Sequence, residues 1–395
     1  MIDSSMSAPL PPEWYWKPEI FDHEREEVFF NNWIFACLAE DVAENNDYAS
    51  FTVAGLPVVV RNMKGKLVAF RNVCSHRHSL IHPEGCGNGM FRCPYHGWTY
   101  DAEGVPIGIP DNARSFGFDK EQKRELALEE FAVATCGLFV FVRLAAEGPS
   151  LREYLGPMAA HLEHVSEFQP VVYARFTQHW AANWKMGVEI TMEGYHAPLV
   201  HPQSFSKHVG LDEMPDEGPA SPQVMPGGPY DVDGSIGGIE YHGPHSLSEG
   251  PISPESTHHL HTIGDRLKMP HSPDMTGYQH YFIYPNFLVG VNEGVNTCVQ
   301  LYNPLKPGET DARFWLLTGQ PADKKIKGGI IWQTAMKGWQ DWTAMNSTED
   351  KAACEAAQLG VRYAPRRALL GKMEERPWHF QAALFKDVEK GRMAA

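Results

Sequence analysis

The sequence predicts an α+β chain in which a small β domain is inserted into a larger domain of strands and helices. Three patterns indicate this: helical spacing before residue 40, short β-branched segments that begin near Asp47, and strands followed by long helices in the second half. The 395 residues suffice for two cores of moderate size. We expect residues 41–145 to form the small domain, and residues 1–40 and 146–395 to form the larger one.

The elements of the first half are predicted as follows. Apolar residues recur at helical spacing in 16–33, whereas 51–53 and 58–60 are typical of strands. Gly and Pro punctuation at 101–108 closes the β unit, and a strand over Gly137 to Arg143 leads to a helix that begins near Ser150.

The second half begins with a helical pattern over 183–208 that contains a late proline. Residues 209–260 are rich in Gly, Pro, Ser and His, which predicts a long irregular excursion. Three histidines of this stretch have no Cys or carboxylate at matching spacing, so we interpret them as part of a solvated loop: His258, His259 and His261.

Strands and then helices are predicted for the remainder of the chain. The strand candidates are His280 to Val291, Cys298 to Tyr302 and Ala312 to Thr318, and the helices are Ile330 to Ala344 and Thr348 to Gly360.

Charge and cysteine content restrict the possible partners and compartment. The formal charge of −15, from 34 basic and 49 acidic residues, argues against nucleic acid and anionic membrane surfaces as partners. The apolar runs are too short for a membrane helix, and the first residues are not a cationic signal peptide, so we expect a cytoplasmic protein. The odd count of seven cysteines fits a reducing compartment.

Two closely spaced Cys and His pairs lie in the β unit. Cys74 and His76 form the first pair, and Cys93 and His96 the second. Two thiolates and two imidazoles are the ligands of a [2Fe-2S] cluster in which His replaces Cys on one iron. Zinc is the alternative, although structural zinc sites more often place both Cys on one side. Cys86 lies between the pairs at a spacing that fits neither.

A second group of candidate ligands follows about a hundred residues later. Glu193 and His196 are three residues apart and share a face if the helix is continuous. His201 would point elsewhere on such a helix, but Pro198 kinks or ends it, so that both rings could converge. Two histidines and one carboxylate form the facial triad of non-haem Fe(II) oxygenases. A helix with exposed histidines is the alternative interpretation.

These motifs resemble the alpha, or terminal oxygenase, subunit of Rieske non-haem iron (aromatic ring-hydroxylating) oxygenases. The C-x-H and C-P-Y-H-G-W-x-Y segments look like the Rieske domain, and N-W-K, E-x-Y-H and H-P look like the catalytic domain. The resemblance covers nearly the whole chain. It implies a Rieske β domain inserted in a catalytic domain whose antiparallel sheet is flanked by helices.

The resemblance also implies the ligands of the cluster. Cys74 and Cys93 would hold one iron, and His76 and His96 the other. The sequence departs from the commonest pattern at His78, where a Gly often follows His-Arg.

For the mononuclear Fe(II), the resemblance implies that His196 and His201 are ligands. Glu193 would be a bridging carboxylate between an iron ligand and a cluster ligand, His96, of a neighbouring subunit. Most ring-hydroxylating members have Asp at this bridge, and Glu193 is similar to members that act on quaternary amines.

The third iron ligand is predicted to be Asp350. Glu349 and Asp350 open a helical segment that resembles the family's E-D then E-x-x-Q pattern, in which the Asp is the ligand. An acidic pair in a first helical turn is also favourable to the helix dipole without any metal. Glu349, Asp341 and Glu355 therefore remain as alternatives.

The two centres imply a division of labour, in which a cluster delivers electrons and an iron activates O2 as co-substrate. The chain has no G-x-G-x-x-G motif after a strand, which implies a separate NAD(P)H-dependent reductase or a ferredoxin. The resemblance adds a head-to-tail homotrimer and leaves open a second subunit.

The first functional hypothesis is O2- and NAD(P)H-dependent hydroxylation of a small aromatic substrate, as in aromatic hydrocarbon catabolism. The alternative is a monooxygenase or N-demethylase for a quaternary ammonium or N-methyl compound, motivated by Glu193. Two further alternatives are an electron carrier with a large extra domain and a structural partner with a degenerate iron site.

Overall fold

The computed structural model describes residues 7–202, 204–209, 238–270, 272–323 and 325–394. The chain divides into two compact units. One is continuous, Phe29–Tyr154, and the other combines Met1–Val28 with Leu155–Ala395.

Sixteen strands run through the described residues. They are β1 (Ile34–Leu38), β2 (Asp47–Val53), β3 (Leu56–Met63), β4 (Lys66–Arg71), β5 (Gly85–Asn88), β6 (Thr99–Tyr100), β7 (Pro106–Gly108), β8 (Glu130–Cys136), β9 (Phe139–Arg143), β10 (Val171–Trp180), β11 (Ile239–His242), β12 (His245–Gly250), β13 (Tyr278–Ile283), β14 (Phe287–Asn292), β15 (Asn296–Lys306) and β16 (Glu309–Thr318).

Eleven α-helices accompany them in the part of the chain that the structure describes. They are α1 (Pro18–His23), α2 (Asn112–Ser115), α3 (Lys120–Glu125), α4 (Leu151–Leu155), α5 (Met158–Phe168), α6 (Trp184–Thr191), α7 (Ala197–Val200), α8 (Phe205–Val209), α9 (Pro254–Leu267), α10 (Ile330–Val361) and α11 (Glu375–Ala394).

Each unit is built on one antiparallel sheet of seven strands. The order in the continuous unit is β1-β9-β8-β4-β3-β2-β5, and the order in the other unit is β10-β16-β15-β14-β13-β12-β11. Strands β6 and β7 form a separate ribbon. The predicted α+β class with an antiparallel sheet and helices is confirmed.

Helices α9 and α10 pack on the sheet that contains β10. Leu260 and Leu267 of α9, together with Trp332 and Met336 of α10, are buried in one cluster with Val171 of the sheet. Strand β14 is buried along its whole length, which its apolar sequence favours. The cluster fixes α10, the helix that carries the predicted third iron ligand.

Three expectations for the second half are wrong. The described part of 209–260 is not irregular, because it forms β11, β12 and the first half of α9, while 210–237 lie outside the described residues. The histidines interpreted as a solvated loop lie on α9, whose Ser253 N-cap hydroxyl accepts a hydrogen bond from the Ser256 amide at 3.2 Å. The two helices predicted over 330–360 are one continuous helix, α10.

The region 183–208 also differs from the predicted helix that Pro198 kinks or ends. It forms three short helices, α6, α7 and α8, and α6 already ends at Thr191. Pro198 does not kink a helix but lies in the first turn of α7, where its missing N–H costs no hydrogen bond.

A buried ion pair fixes the start of α6. Lys185 Nζ lies 2.6 Å from Glu24 Oε1, and both side chains are fully buried. The Trp184 indole donates to the other oxygen of Glu24 at 2.9 Å, and Asn183 caps the helix by accepting from the Lys185 amide. The N-W-K motif is thus an anchor for α6. A Cβ at Gly187 would overlap the ring of Tyr302, so this glycine permits α6 to lie close to β15.

Two further features bear on the expectations from sequence. None of the seven cysteines forms a disulfide. Within the described segments, the helices are all too short or too polar to cross a membrane.

Candidate metal centres

The predicted iron ligands His196 and His201 lie at the two ends of the single turn α7. His196 is the N-cap residue of this turn and His201 its C-cap residue. The chain between α6 and α7 is a turn, so Glu193 and His196 do not share a helical face as predicted. The turn nevertheless brings them together, because the His196 amide donates to Glu193 Oε2 at 3.2 Å.

Three ligand atoms converge next to α7. His196 Nε2 lies 3.2 Å from His201 Nε2, and Asp350 Oδ1 lies 2.9 Å from the His201 atom and 3.5 Å from the His196 atom. Ligands about 2.1 Å from one ion and at right angles to each other are separated by about 3.0 Å. The three atoms therefore fit one face of the coordination sphere of a single metal ion, and the other face is left for substrates.

A carboxylate lies behind each of the two imidazoles. His196 Nδ1 donates to Glu193 Oε1, and His201 Nδ1 donates to Glu349 Oε2 at 2.8 Å. Glu349 is itself held by the Ser204 hydroxyl at 2.9 Å. With Nδ1 as donor, Nε2 of each ring is available for the metal, which is the arrangement that orients metal-binding histidines in general.

The same contacts set the charge of the site. Burial lowers the pKa of His196, but hydrogen bonds to Asp350 and Glu193 outweigh it and raise the pKa to about 10. For His201, burial is likewise outweighed by Asp350, and the pKa is raised. Burial raises the pKa of Asp350, yet the two imidazoles lower it overall. The acidic environment attracts a cation, and a metal ion would replace a proton there.

Asp350 is not in a first helical turn. It lies near the middle of α10 and is nearly buried, so stabilisation of the helix dipole does not explain it. The other acids considered are elsewhere: Asp341 pairs with Lys337 at the surface, and Glu355 accepts from the Ala181 amide at 2.8 Å. In the described part of the chain, one group of three or more His, Cys, Asp or Glu residues is close enough to hold a single ion, and it consists of His196, His201 and Asp350.

A cavity of about 100 Å³ adjoins the three ligands. Its walls come from α6, α8, α10, α11, the residues His196 and His201 that flank α7, and strands β13 to β16. Five of its lining side chains are aromatic: Phe205, Tyr278, Tyr302, Phe314 and Trp342.

The predicted cluster ligands lie in two loops with the same backbone hydrogen bonds. The Cys74 amide donates to Ser79 O at 2.9 Å, and the Cys93 amide donates to Trp98 O at 2.8 Å. Both thiols are buried in one hydrophobic cluster. Burial raises the pKa of Cys74, and the neighbouring Cys93 raises it further. A cationic group bound by both sulfurs would stabilise their thiolate forms.

The imidazoles of these loops face outward. His96 is exposed, and the ring centroids of His76 and His96 are 4.5 Å apart. His76 stacks on Trp98, and its buried Nδ1 has no hydrogen-bond partner among the described residues. A buried imidazole nitrogen without a partner fits a metal ligand, so these residues suit the cluster.

His78 adopts the backbone that its unusual position requires. Its φ of 61° is in the left-handed region, as is the φ of 75° at Gly97, the equivalent residue of the second loop. The amides of His78 and Gly97 donate to Cys74 O and Cys93 O, both at 3.0 Å. The departure from Gly therefore leaves the loop geometry unchanged.

Sequence reasoning missed two residues of these centres. Glu349 was considered as a metal ligand and otherwise only as a helix-dipole residue, yet it binds the imidazole of a predicted ligand. The Tyr100 hydroxyl donates to Cys74 Sγ at 3.1 Å and accepts from the Ser75 amide. Tyr100 is the last residue of the C-P-Y-H-G-W-x-Y segment, so the motif contained the means to find it.

Comparisons with known proteins agree with the resemblance. The family model described as ring hydroxylating alpha subunit (catalytic domain) matches residues 169–389, and the Rieske [2Fe-2S] domain model matches residues 32–132.

Curated relatives match about half of the chain. The carnitine monooxygenase oxygenase subunit of Escherichia coli (strain K12) is 34% identical over 51% of this chain and 54% of its own length. The glycine betaine monooxygenase oxygenase subunit of Pseudomonas aeruginosa is 29% identical over 54% and 49%, and the anthranilate 1,2-dioxygenase large subunit of Acinetobacter baylyi is 32% identical over 47% and 41%. The match thus spans about half the length of these relatives.

Solved structures share the fold. A quaternary ammonium Rieske monooxygenase in complex with substrate L-carnitine has a TM-score of 0.70 at 20% identity, over 96% of this chain and 95% of that one. Naphthalene 1,2-dioxygenase from Rhodococcus sp. bound to indole has a TM-score of 0.67 at 20% identity, over 98% and 95%. From the two domain matches and the shared fold, the chain belongs to the ring-hydroxylating alpha subunits, with a Rieske [2Fe-2S] domain and a catalytic mononuclear iron domain.

Proposed function

We propose that the protein is the terminal oxygenase of a multicomponent system and that it oxidises a small N-methyl or quaternary ammonium compound. The observation that carries this proposal is the cavity beside His196, His201 and Asp350, with its five aromatic side chains. Aromatic faces attract alkylammonium groups through their quadrupoles, at about 0.5 to 2 kcal/mol each.

Two of the curated relatives support this substrate class. Their names place carnitine and glycine betaine as substrates, and both compounds carry a trimethylammonium group. Glu193, where most ring-hydroxylating members have Asp, points the same way.

We assign the cluster to the unit Phe29–Tyr154 and the mononuclear iron to the other unit. In this assignment Cys74 and Cys93 bind one iron of the cluster, and His76 and His96 bind the other. His196, His201 and Asp350 bind the mononuclear iron. The assignment is supported by the converging Nε2 and Oδ1 atoms and by the unpartnered Nδ1 of His76.

When bound, the cluster supplies single electrons and the mononuclear iron activates O2. Overall, substrate, O2 and two electrons with two protons yield a hydroxylated product and water. An N-hydroxymethyl product releases formaldehyde and leaves the demethylated amine. The protein's own side chains hold the imidazoles in one tautomer, seat the substrate between aromatic faces and exclude bulk water from the cavity.

Glu193 is proposed to couple the two centres. It accepts the Nδ1–H of His196, and its second oxygen accepts the His196 amide. In the family arrangement it would also contact His96 of a neighbouring subunit in a head-to-tail homotrimer. Electrons are proposed to come from a separate NAD(P)H-dependent reductase or a ferredoxin. A second type of subunit is compatible with this arrangement.

The proposal is tested by product analysis under labelled O2. Purified holoprotein, NADH and a surrogate reductase are given a panel of trimethylammonium acids, N-methyl amines and aromatic acids, and products are identified by mass spectrometry. We expect one labelled oxygen atom to be added to a carbon that is bonded to nitrogen, so that formaldehyde or a larger aldehyde is released. Turnover of aromatic acids alone would contradict the amine assignment.

Hydroxylation of an aromatic substrate is the second candidate function. Its support is the anthranilate 1,2-dioxygenase large subunit, a relative as similar in sequence as those that act on quaternary amines. Two labelled oxygens in a ring diol would establish this function in place of the first.

A further inference from the structure

A buried arginine without an acidic partner adjoins the substrate cavity. Arg376, in the first turn of α11, is 2% exposed and lines the cavity. Its guanidinium donates to Ser246 Oγ at 3.0 Å, Ser248 Oγ at 2.7 Å, and Nδ1 and O of His280 at 3.0 and 3.1 Å. All of these acceptors are neutral, and no carboxylate of the described residues lies within 4.0 Å of it.

This positive charge is therefore uncompensated. Burial lowers the pKa of Arg376 to about 10, which leaves the guanidinium charged at neutral pH. A buried cation without a counterion is costly, and an anion bound in the adjoining cavity would offset that cost.

Arg376 also decides which nitrogen of His280 carries hydrogen. A guanidinium has no acceptor, so His280 Nδ1 must accept, and the hydrogen of the neutral ring is on Nε2. Burial and the charge of Arg376 keep the pKa of His280 well below its usual range, so the ring is neutral.

The Nε2–H of His280 has no acceptor. The side chain is 1% exposed and lines the cavity, and Nε2 is buried without a hydrogen-bond partner among the described residues. His280 pairs across the sheet with Gly290, which has no side chain to accept this hydrogen. Since buried donors are almost always satisfied, the natural acceptor is a group of the bound substrate.

We propose that the substrate carries a carboxylate, which accepts the Nε2–H of His280 while Arg376 behind the ring supplies the compensating charge. This rests on the proposed function for the other end of the substrate, the N-methyl or quaternary ammonium group. Five aromatic side chains line the same cavity, so it combines surfaces that attract an ammonium group with one cationic end. Such a cavity orients a zwitterion of matching length in a single direction.

Three matched probes separate the two ends. They are trimethylammonium butanoate, its methyl ester, and the carboxylate in which a tert-butyl group replaces trimethylammonium. Binding to the metal-loaded protein is measured by calorimetry. We expect the wild-type protein to bind the zwitterion about tenfold or more tightly than the ester, because the ester lacks the anionic acceptor.

The His280→Phe variant keeps an aromatic ring but has no donor. It should bind zwitterion and ester with dissociation constants within about twofold of each other. His261→Phe is the matched control, since His261 on α9 is not among the residues that line the cavity, and it should keep the wild-type preference. The absorption of the cluster and the melting temperature report whether each variant is folded.

The wild-type comparison tests the inference even if His280→Phe does not fold. Equal binding of zwitterion and ester by the wild-type protein, or a preference that survives in His280→Phe, would overturn the inference. Failure of both carboxylates to bind would overturn it as well. Binding of the tert-butyl carboxylate as tightly as the zwitterion would instead contradict the ammonium assignment and leave the role of His280 standing.

Discussion

The histidines of the two centres differ in the direction in which their pKa is shifted and in their hydrogen-bond partners. In the Cys and His loops, burial, His96 and Arg77 lower the pKa of His76, and its buried Nδ1 has no hydrogen-bond partner among the described residues. Beside α7, His196 and His201 each donate to a carboxylate, and the pKa of His196 is raised to about 10.

The difference matches the work that each pair would do. Imidazoles that are neutral and face outward raise the potential of a cluster and let electrons enter and leave at the surface. Imidazoles backed by carboxylates are more basic and fixed in orientation, which favours a divalent ion with open positions for O2 and substrate. A carboxylate behind a histidine therefore distinguishes the two kinds of site in this chain.

The largest expected effect comes from removing the charge behind His196. Glu193→Gln keeps a side-chain oxygen to accept from the ring but has no anionic charge, so both metals should be bound when Fe(II) is supplied in excess. Turnover with the reductase should fall by about a hundredfold or more, because electrons would pass between the centres slowly. Stopped-flow oxidation of the reduced cluster in the presence of O2 and substrate measures this step.

Iron and sulfide content serve as the control for Glu193→Gln. Loss of the mononuclear iron would mean that Glu193 acts through metal affinity. Wild-type turnover would show that Glu193 does not link the centres.

Removing the carboxylate behind His201 should weaken iron binding. In Glu349→Gln we expect the dissociation constant for Fe(II) to rise about tenfold to a hundredfold, the usual cost of losing such a partner. Asp341→Asn, on the exposed face of the same helix, is the control and should bind iron as the wild type does. Equal affinities of the two variants would argue that Glu349 does not support the ligand.

The two centres should also respond differently to pH. Because the pKa of His196 is raised to about 10, the metal-free ring is protonated at neutral pH, and iron must displace that proton. The dissociation constant for Fe(II) should therefore rise at least about tenfold for each unit that pH falls from 8 to 6, since the pKa of His201 is raised as well. Cluster content should stay constant over this range, since the pKa of His76 is lowered. An iron affinity that does not change with pH would contradict a site in which carboxylates raise the pKa of the imidazole ligands.

The smallest effect concerns the cluster. The Tyr100 hydroxyl donates to Cys74 Sγ, and such a bond stabilises the reduced, more negative cluster. Tyr100→Phe should lower the reduction potential by a few tens of millivolts, which corresponds to about 1 kcal/mol. Tyr95→Phe, at an exposed ring, is the control and should leave the potential unchanged. A shift of the same size in both variants would show that the Tyr100 hydroxyl does not specifically set the reduction potential.

The motifs carried most of the information about both centres. Local spacing was enough for the loops of Cys74 and Cys93, because each pair lies within one turn of chain. The convergence of His196 and His201 was also anticipated, but its cause was not. The helix ends at Thr191, well before Pro198, and the next glycine along the chain, Gly194, lies three residues beyond that end.

Long-range contacts were beyond the sequence. Glu349 meets His201 across 148 positions, and Arg376 meets His280 across 96, so neither pair shares a local pattern. The polar composition of the region before Leu260 also concealed helix α9, whose buried residues, Leu260, Gly264 and Leu267, all lie from the middle of the helix onwards.

We propose that one chain holds two separate iron centres and that Asp350 belongs to only one of them. This proposal is tested most directly by measuring iron, inorganic sulfide and the cluster spectrum in wild type and Asp350→Ala. The wild type should carry roughly three irons and two sulfides per chain, and the variant should lose one iron, keep the cluster spectrum and lose oxygenase activity. Unchanged iron content, or loss of the cluster together with the iron, would contradict the account.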